Sequence, residues 1–397
     1  NPCMIPRVLL PQLKDAAAHL PVVTVTGPRQ SGKTTLCRAA FPGKKYVNLE
    51  PLDVRELARS DPRGFLAEHA GGVILDEIQN VPELLSYIQA DVDEDPSPGR
   101  FILTGSQQLA ANRAIGQTLA GRTAILHLLP FSLDERRQAE DWREDLWLDV
   151  FRGSYPRVYD RRLDPVRWYA DYITTYVERD VRQVKDIGDL RAFRTFLTLA
   201  AGRTAQEINL SSLGGDAGVS HNTARAWLGL LEASFITTLV PAWHRNVRKQ
   251  IIKAPKLHFI DTGVACSLLG IRDADQLRTH PLRGALFESW VAGEILKALL
   301  HRGRQPDMKH YRESRGAEID FVIEQAGTLH LVECKSGATT HPSFFEPLSA
   351  MRDLVGESER LEVAPALVYG GEESHPRRTI PVYSWRDIER LSRRIVG

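Results

Sequence analysis

The chain has 397 residues and an almost neutral charge, because 51 Lys and Arg residues face 50 Asp and Glu residues and give a formal net charge of +1. Hydrophobic residues make up 43% and charged residues 25%, a composition that is typical of a globular protein and excludes a disordered chain. The small net charge excludes a uniformly basic surface, so any nucleic-acid binding has to come from local patches. The length predicts two or three domains.

No apolar run in the sequence approaches the roughly 20 residues that a transmembrane helix requires, so we expect no association with a membrane. The first residues lack the basic start and the apolar core of a secretory signal. The four cysteines, Cys3, Cys37, Cys266 and Cys334, are scattered and form no C-x-x-C pair. This distribution predicts neither a zinc site nor a disulfide framework, and it is typical of a cytoplasmic protein.

The first 145 residues alternate between strand-like and helix-like segments. The strand-like segments are residues 22–26, 45–49, 73–75, 101–104 and 124–128. Such an alternation predicts a parallel sheet that is covered by helices.

The strand-like segment 22–26 leads into the sequence Gly-Pro-Arg-Gln-Ser-Gly-Lys-Thr, and a helix-like segment follows. This is the phosphate-binding loop G-x-x-x-x-G-K-[ST], in which backbone N–H groups and a helix N-terminus face the phosphates. We expect Lys33 to reach the β- and γ-phosphates and the Thr34 hydroxyl to ligate Mg²⁺. The predicted nucleotide-binding residues of this segment are Gly27, Pro28, Arg29, Gln30, Ser31, Gly32, Lys33, Thr34 and Thr35.

Polar residues after two later strands complete a predicted hydrolytic site. Asp76 follows the apolar residues 73–75 and is predicted in the metal shell, and Glu77 is predicted as the general base that orients the attacking water. Thr104 ends the next strand and is predicted to sense the γ-phosphate or to position water. Arg122 is a candidate arginine finger that acts in trans across a subunit interface, and an ordinary surface salt bridge is the alternative. These residues predict hydrolysis of ATP with Mg²⁺ as cofactor.

At these motifs the chain resembles a family of bacterial and archaeal AAA-like ATPases with an appended domain of unknown function, AAA_14 followed by DUF4143. The matching segments are residues 27–34, 74–79, 103–106, 119–122, 130–132, 153–156, 176–182, 287–288, 316–320 and 333–335. The resemblance implies ATP hydrolysis. AAA relatives commonly form ring-shaped homo-oligomers, which fits an arginine that acts in trans.

Residues 146–259 are predicted to be mostly helical. Three short helices over residues 204–210, 213–219 and 220–233 precede two strands over residues 236–241 and 251–259. Three helices followed by a hairpin are the winged-helix pattern, and a module that binds protein is the alternative to one that binds DNA. In such a fold the third helix would lie in the major groove and the hairpin tip would contact phosphates. The residues predicted to contact DNA are Ser220, His221, Asn222, Arg225, Arg245, Arg248 and Lys249.

Residues 260–397 return to a mixed α/β pattern and carry a second group of polar residues. Glu288 lies on a predicted helix, Asp320 precedes an apolar strand, and Glu333 and Lys335 share one face of another strand. Asp320 and Glu333 are predicted to hold a divalent cation jointly, with Lys335 near the attacking water.

This arrangement looks like the PD-(D/E)xK nuclease superfamily, and its GxEID…ECK form is similar to archaeal Holliday-junction resolvases, although no proline precedes Asp320. Two interpretations stay open: a site that cuts DNA, and a retained nuclease fold that binds branched or duplex DNA without cutting it. A chance cluster of surface charges is the third possibility.

The predicted fold class is α/β. It combines an AAA-like P-loop ATPase domain (residues 1–145), a helical and winged-helix domain (146–259) and a restriction-endonuclease-like domain (260–397). The predicted function is that of a cytoplasmic, homo-oligomeric ATPase that acts on duplex or branched DNA. The alternative is an ATP-dependent regulatory switch whose later domains bind protein partners.

Overall fold

The structure is a computed structural model that describes residues 4–105, 118–177, 189–243, 254–313, 318–356, 362–376 and 379–397. The chain divides into two compact units. The first comprises residues up to Phe131 together with Ala233–Phe235 and Leu300–Gly303, and the second comprises Ser132–Glu232, Ile236–Leu299 and Arg304–Gly397. The division into three domains stays a prediction. None of the helices in these described ranges combines the length and apolar character that crossing a bilayer requires.

The first unit is built on a parallel sheet. Among its described residues, the strands are β1 (Val22–Thr26), β2 (Lys45–Asn48), β3 (Val73–Asp76), β4 (Phe101–Gly105) and β5 (Thr123–His127). Their spatial order is β2-β3-β4-β1-β5, and every neighbouring pair is parallel. The predicted parallel sheet is therefore confirmed. β4 lies between β1, which leads into the phosphate-binding loop, and β3, which carries the acidic pair. β1 and β3 are therefore not neighbours.

Helices cover both faces of this sheet. The described helices of the first unit are α1 (Leu10–His19), α2 (Lys33–Ala40), α3 (Leu52–Ser60), α4 (Pro62–Ala67) and α5 (Leu84–Glu94). Along β1, Val23 and Val25 pack in one core cluster with Leu13 of α1 and Leu36 of α2, whereas Val22 packs in the other. Strands that are buried on both faces read as continuous apolar runs, which is why they were recognisable in the sequence.

The second unit begins with short helices. They are α6 (Leu133–Arg136), α7 (Leu146–Arg152), α8 (Pro156–Asp160) and α9 (Pro165–Tyr172), and a π-helical turn follows at Ile173–Val177. Helix α6 starts with a capping box: the Ser132 side chain accepts from the backbone N–H of Glu135, and the Glu135 carboxylate accepts from that of Ser132. Such reciprocal bonds satisfy helix donors that have no partner within the helix.

A small antiparallel sheet with three helices follows. These elements are α10 (Leu190–Ala201), β6 (Gln206–Glu207), α11 (Leu210–Asp216), α12 (His221–Ala233), β7 (Thr237–Val240) and β8 (Lys256–Phe259), and the sheet order is β6-β8-β7. The predicted helix over residues 204–210 is wrong. The N–H of Ala205 donates to the carbonyl of Leu257 at 2.6 Å, and its φ of 59° turns the chain into β6.

The chain ends in a mixed sheet with helices. The helices are α13 (Thr262–Leu268), α14 (Ala274–Thr279), α15 (Arg283–Leu300), α16 (Glu346–Gly356) and α17 (Ile388–Val396). The strands are β9 (Met308–Arg312), β10 (Glu318–Gln325), β11 (Thr328–Lys335), β12 (Glu362–Tyr369) and β13 (Val382–Ser384). Their order within the described residues is β13-β12-β11-β10-β9. β9 to β11 pair antiparallel and β11 to β13 pair parallel, and α16 supplies the crossover that a parallel pair requires.

Candidate active site

Residues 27–34 join the carboxyl end of β1 to the first turn of α2. Gly27 has a φ of 149°, and a Cβ at this position would approach the carbonyl oxygen of Leu128 to 2.2 Å. Only glycine fits such a close approach of two backbones. Gly32, with a φ of 93°, precedes α2 directly. The first turn of a helix carries N–H groups without intrahelical partners, so the loop is placed where an anion binds.

Lys33 lies buried within this loop and is 5% exposed. Its Nζ donates to the carbonyl oxygens of Gly27 at 3.0 Å and of Pro28 at 2.8 Å. Burial lowers the pKa of Lys33 to about 8, although the carboxylates of Glu77 and Asp76 oppose the shift. A buried ammonium group is stabilised by a negatively charged ligand, and a triphosphate is such a ligand.

The hydroxyl of Ser31 is a second group that fits a phosphate ligand. Ser31 is fully buried, and its Oγ has no hydrogen-bond partner within the part of the chain that the structure describes. Buried polar atoms are almost always hydrogen-bonded in folded proteins, so an orphaned hydroxyl in a phosphate-binding loop indicates a position for ligand oxygen.

The carboxylate of Asp76, at the end of β3, accepts hydrogen bonds from three hydroxyl groups. Thr34 donates to Oδ2 at 2.9 Å, Tyr46 donates to the same oxygen at 2.7 Å, and Thr104 donates to Oδ1. The structure therefore brings together Thr34, Asp76 and Thr104, which lie on three different elements. Hydroxyl and carboxylate oxygens are the ligands that Mg²⁺ prefers, so Thr34 and Asp76 fit this ion.

Glu77 follows Asp76 in a left-handed backbone conformation with a φ of 59°. Non-glycine residues rarely adopt this conformation, and those that do cluster at functional sites. The N–H of Glu77 donates to Thr104 Oγ1 at 3.4 Å, and its carboxylate accepts from the Gln79 amide. Gln79 is packed at the end of β4, where a Cβ on Gly105 would lie 2.9 Å from its Oε1. Glu77 is thus held at the same sheet edge as the phosphate-binding loop.

Two residues of this site were missed in the sequence. Tyr46 lies within β2, the strand next to β3, and its hydroxyl donates to Asp76. Burial together with the Asp76 carboxylate raises the pKa of this hydroxyl, which stays protonated. Arg7 precedes α1 and donates through Nη1 to the Ser31 carbonyl at 2.6 Å and through Nη2 to the Leu129 carbonyl at 2.6 Å. Neither residue belongs to a sequence motif. Each contacts the site only in the folded chain, so the sequence alone did not reveal it.

Replacing Arg7 with lysine is expected to weaken nucleotide binding about tenfold. Lysine lacks the planar fork that reaches the carbonyls of Ser31 and Leu129 together, and hydrogen bonds to charged groups contribute about 1.5–3 kcal/mol. The measurement is the Kd of a fluorescent ATP analogue. Arg63→Lys, an exposed position on α4, is the matched control. Equal affinities of the two variants would show that Arg7 does not position the loop.

Arg122 lies at the amino ends of the strands, whereas the phosphate-binding loop lies at their carboxyl ends. Its backbone carbonyl accepts from the N–H of Val22, the first residue of β1. Its guanidinium forms a two-pronged ion pair with Asp93, at 2.5 Å from Nε to Oδ1 and 2.9 Å from Nη2 to Oδ2. Arg122 is therefore not part of the site in its own chain, and its action in trans stays a prediction.

The candidate DNA-binding residues fall in two groups. Ser220 caps α12 by accepting from the N–H of Thr223 at 3.1 Å, and Ser220, Asn222 and Arg225 are exposed while His221 is half-buried. The opposite face of α12 is buried through Trp227, Leu228 and Leu231. Three further candidates lie outside the described residues: Arg245, Arg248 and Lys249.

The polar residues of the C-terminal sheet lie close together, and β8 adds Lys256 to them. Lys256 Nζ lies 2.9 Å from Glu288 Oε1, 2.6 Å from Glu318 Oε1 and 3.1 Å from Asp320 Oδ1. Burial by itself would lower the pKa of Lys256, but these carboxylates together raise it. Lys256 is thus a charged partner of the cluster. The sequence offered no signal for it, because it belongs to no motif.

Glu333 and Lys335 lie side by side on β11, as predicted, with Nζ of Lys335 2.5 Å from Oε1 of Glu333. Burial and the charge of Asp320 raise the pKa of Glu333 to about 8. Across the described residues, no group of three or more His, Cys, Asp or Glu side chains has an arrangement that would hold a metal ion. The cation shared by Asp320 and Glu333 stays without structural support.

A parallel sheet whose first strand leads into a phosphate-binding loop, with an acidic pair at the carboxyl end of β3, defines a P-loop nucleotide-binding protein. Residues 19–136 match the family model AAA_14, described as an AAA domain. Residues 143–275 match DUF8612 and residues 283–388 match DUF4143, both described as domains of unknown function.

Uncharacterized protein Rv2008c of Mycobacterium tuberculosis is 33% identical to this chain over 382 residues, which cover 93% of this chain and 82% of that protein. The chain belongs to the same family, the AAA-like P-loop ATPases in which an AAA_14 domain is combined with a DUF4143 domain.

Two solved structures are similar to parts of the chain. The Walker-type ATPase PABY2304 of Pyrococcus abyssi is 17% identical, with a TM-score of 0.43, and the match covers 66% of this chain and 94% of that one. The T158V variant of Thermotoga maritima RuvB is 19% identical, with a TM-score of 0.30, and the match covers 58% of this chain and 87% of that one.

Proposed function

We propose that this protein hydrolyses ATP and uses the hydrolysis cycle to act on DNA. The observation that carries the ATPase part is the convergence of Thr34, Tyr46 and Thr104 on the Asp76 carboxylate, with Lys33 and Glu77 at the same sheet edge. A site for phosphoryl transfer needs a phosphate cradle, a metal position and a group that orients water, and these residues supply all three.

Each residue has a defined role in the proposed reaction. The loop N–H groups and Lys33 bind the phosphates, and Thr34 and Asp76 would hold Mg²⁺. This ion would supply positive charge that neutralises the phosphate oxygens. The Glu77 carboxylate accepts the proton of the attacking water, and Gln79 and Thr104 keep Glu77 in place. The Thr104 hydroxyl also links the end of β4 to Asp76.

The DNA part of the proposal is supported by α12 and the elements around it. A helix that is capped by Ser220, buried through Trp227 and exposed through Asn222 and Arg225 presents polar side chains on one face only. A hairpin follows it, which is the order of a winged helix. Since the chain as a whole is nearly neutral, such a local surface is where an electrostatic contact with DNA would form.

The proposal is tested by the rate of ATP hydrolysis with and without duplex and four-way-junction DNA, together with gel shifts at low salt. We expect stimulation by DNA that weakens as salt rises, because contacts to phosphates release counterions. Absence of both stimulation and a gel shift would exclude the action on DNA. It would leave the ATP-dependent switch that binds protein partners.

Replacing Arg225 with alanine is expected to weaken DNA binding about 5- to 150-fold, since a base contact contributes about 1–3 kcal/mol. ATP hydrolysis without DNA should not change. Arg191→Ala, at another exposed arginine near the start of α10, is the matched control. The quantity to measure is the Kd for duplex DNA at fixed salt. If both variants bind DNA like the wild type, α12 is not the contact surface.

We also propose a homo-oligomer in which Arg122 acts on the neighbouring subunit. Arg122→Ala would then lower the maximal rate of hydrolysis with little change in nucleotide affinity. Asp93→Ala is the matched control, because it removes the same ion pair and keeps the arginine. If the two variants lose equal activity, Arg122 is only a structural ion-pair partner. The mass of the protein with ATP, measured by light scattering, gives the oligomeric state.

A further inference from the structure

The ammonium group of Lys256 is buried in a shell of carboxylates. Its side chain is 3% exposed, and Nζ contacts Glu288 of α15 and Glu318 and Asp320 of β10 at 2.6 to 3.1 Å. An ammonium group has three N–H donors, and here three carboxylates surround it. All the donor capacity of Lys256 is thus directed at the acidic cluster.

The second oxygen of Asp320 and one oxygen of the neighbouring Glu333 carboxylate also have partners. Asp320 Oδ2 accepts from the backbone N–H of Cys334 at 2.9 Å, and Glu333 Oε1 pairs with Lys335. Glu333 Oε2 is buried and has no hydrogen-bond partner among the described residues. The two carboxylates that a shared divalent cation would bridge are therefore each paired with a lysine of this chain. Lys256 comes from β8, 64 residues before Asp320.

A divalent cation does not fit at the position of the Lys256 nitrogen in this arrangement. Mg²⁺ needs oxygen ligands at about 2.0–2.1 Å in an octahedron and retains several waters. The Lys256 nitrogen lies at the point where Glu288, Glu318 and Asp320 converge. An ion at that point would displace the ammonium group from a position that is otherwise closed to solvent, and a buried ammonium group is costly without its counter-charges.

We propose that Lys256 takes the place of a divalent cation in the carboxylate cluster of the C-terminal sheet. The cluster is then a buried ion-pair network that connects β8 to α15 and β10, and it does not hydrolyse phosphodiester bonds. This inference is independent of the proposed ATPase activity and action on DNA, because it concerns metal binding at a separate cluster.

The first test measures how many Mn²⁺ ions bind to the full-length protein without nucleotide. The EPR signal of free Mn²⁺ reports the binding. Wild type is compared with Asp320→Asn, which keeps an oxygen that can accept from Cys334. We expect the same number of bound ions in both, since Asp320 holds lysine and not metal. One bound Mn²⁺ per chain in the wild type that is lost in Asp320→Asn would overturn the proposal. Mn²⁺ bound at the P-loop does not affect this comparison, because it is present in both proteins.

The second test is the variant Lys256→Met, which leaves the carboxylates without their cation. We expect Mn²⁺ to raise the melting temperature of this variant by several degrees more than that of the wild type, because an ion that binds only the folded state stabilises it. Equal shifts in the melting temperature of wild type and variant would contradict the proposal that Lys256 takes the place of a cation. Should this variant fail to fold, the comparison of wild type with Asp320→Asn decides.

The third test is cleavage of labelled duplex and four-way-junction DNA with Mg²⁺ or Mn²⁺. We expect no cleavage by the wild type. Cleavage that is lost in Asp320→Asn would show that the cluster is a working nuclease site and would overturn the proposal. DNA binding without cleavage agrees with it.

Discussion

Replacing Glu77 with glutamine is expected to slow ATP hydrolysis about 10²- to 10⁴-fold while nucleotide binding is retained. Glutamine has nearly the same shape but no carboxylate to accept the proton of the attacking water. The Glu77 backbone conformation and the contact with Thr104 do not depend on the side-chain charge, so the site should keep its geometry. The measurements are the steady-state rate of phosphate release and the Kd for ATP.

A matched control for this substitution is Glu94→Gln, the same chemical change at an exposed position near the end of α5. It should hydrolyse ATP like the wild type. Gln79→Ala should fall between the two, because it removes the amide that holds Glu77 and leaves the carboxylate present. A Glu77→Gln protein with a wild-type rate would exclude Glu77 as the general base and would require another group to orient water.

The second large effect is expected for Arg136→Met, a change in the second unit that should lower the melting temperature strongly. Arg136 is 1% exposed and forms ion pairs with Asp149 at 2.7 Å and Glu294 at 3.0 Å. Trp290 Nε1 donates to Asp149 at 2.9 Å, and Lys297 pairs with Glu294. Removing Arg136 leaves the buried carboxylate of Asp149 without its cationic partner and that of Glu294 with Lys297 alone, which costs about 3–5 kcal/mol.

Arg137→Met is the matched control, because Arg137 is the next residue and is 28% exposed. Its ion pairs are a 3.5 Å pair with Asp134 and a longer one with Glu144, and its Nη2 donates to the carbonyl of Arg386 at 2.7 Å. Exposed pairs contribute about 0–1 kcal/mol, so this variant should melt within a few degrees of the wild type. The measurement is the melting temperature by calorimetry or circular dichroism. Similar melting temperatures of the two variants would contradict the importance of the buried network.

The effect of Arg136→Met should also depend on pH. Burial by itself raises the pKa of the Glu294 carboxyl, but Arg136 and Lys297 lower it from 4.5 to about 2. A group whose pKa is depressed on folding contributes stability that is complete above its unfolded value and is lost as pH falls through the folded value. The difference between variant and wild type should therefore be largest above pH 5 and shrink between pH 4.5 and 2.

Much of the first unit was predictable because its signals are local. The strand predicted over residues 73–75 is observed as Val73–Asp76, and the strand predicted over residues 101–104 is observed as Phe101–Gly105. Strands that are covered on both faces appear as short apolar runs. The phosphate-binding loop was recognisable because the chemistry of phosphate binding restricts Gly27, Gly32 and Lys33 to particular residue types.

Other features depended on competition between local and distant interactions. The segment 204–210 has a helix-like pattern, yet pairing with Leu257 of β8 takes its backbone into a strand. The spatial order of the strands could not be predicted from the sequence either. Parallel strands are joined by crossovers, and the hydrophobic pattern does not encode the direction of a crossover. That order places β4 between β1 and β3 and thereby lets Thr104 reach Asp76.

The sequence by itself determined the parallel sheet with its phosphate-binding loop, and it predicted a nucleotide site at Lys33, Thr34, Asp76 and Glu77, because these residues lie in short motifs whose spacing follows from the chemistry. Only the tertiary structure decided which other groups join them. Arg7 and Tyr46 reach the P-loop site, and Lys256 meets Asp320 from 64 residues away. Such contacts arise from the packing of separate elements, and no pattern within one segment records which elements will pack together.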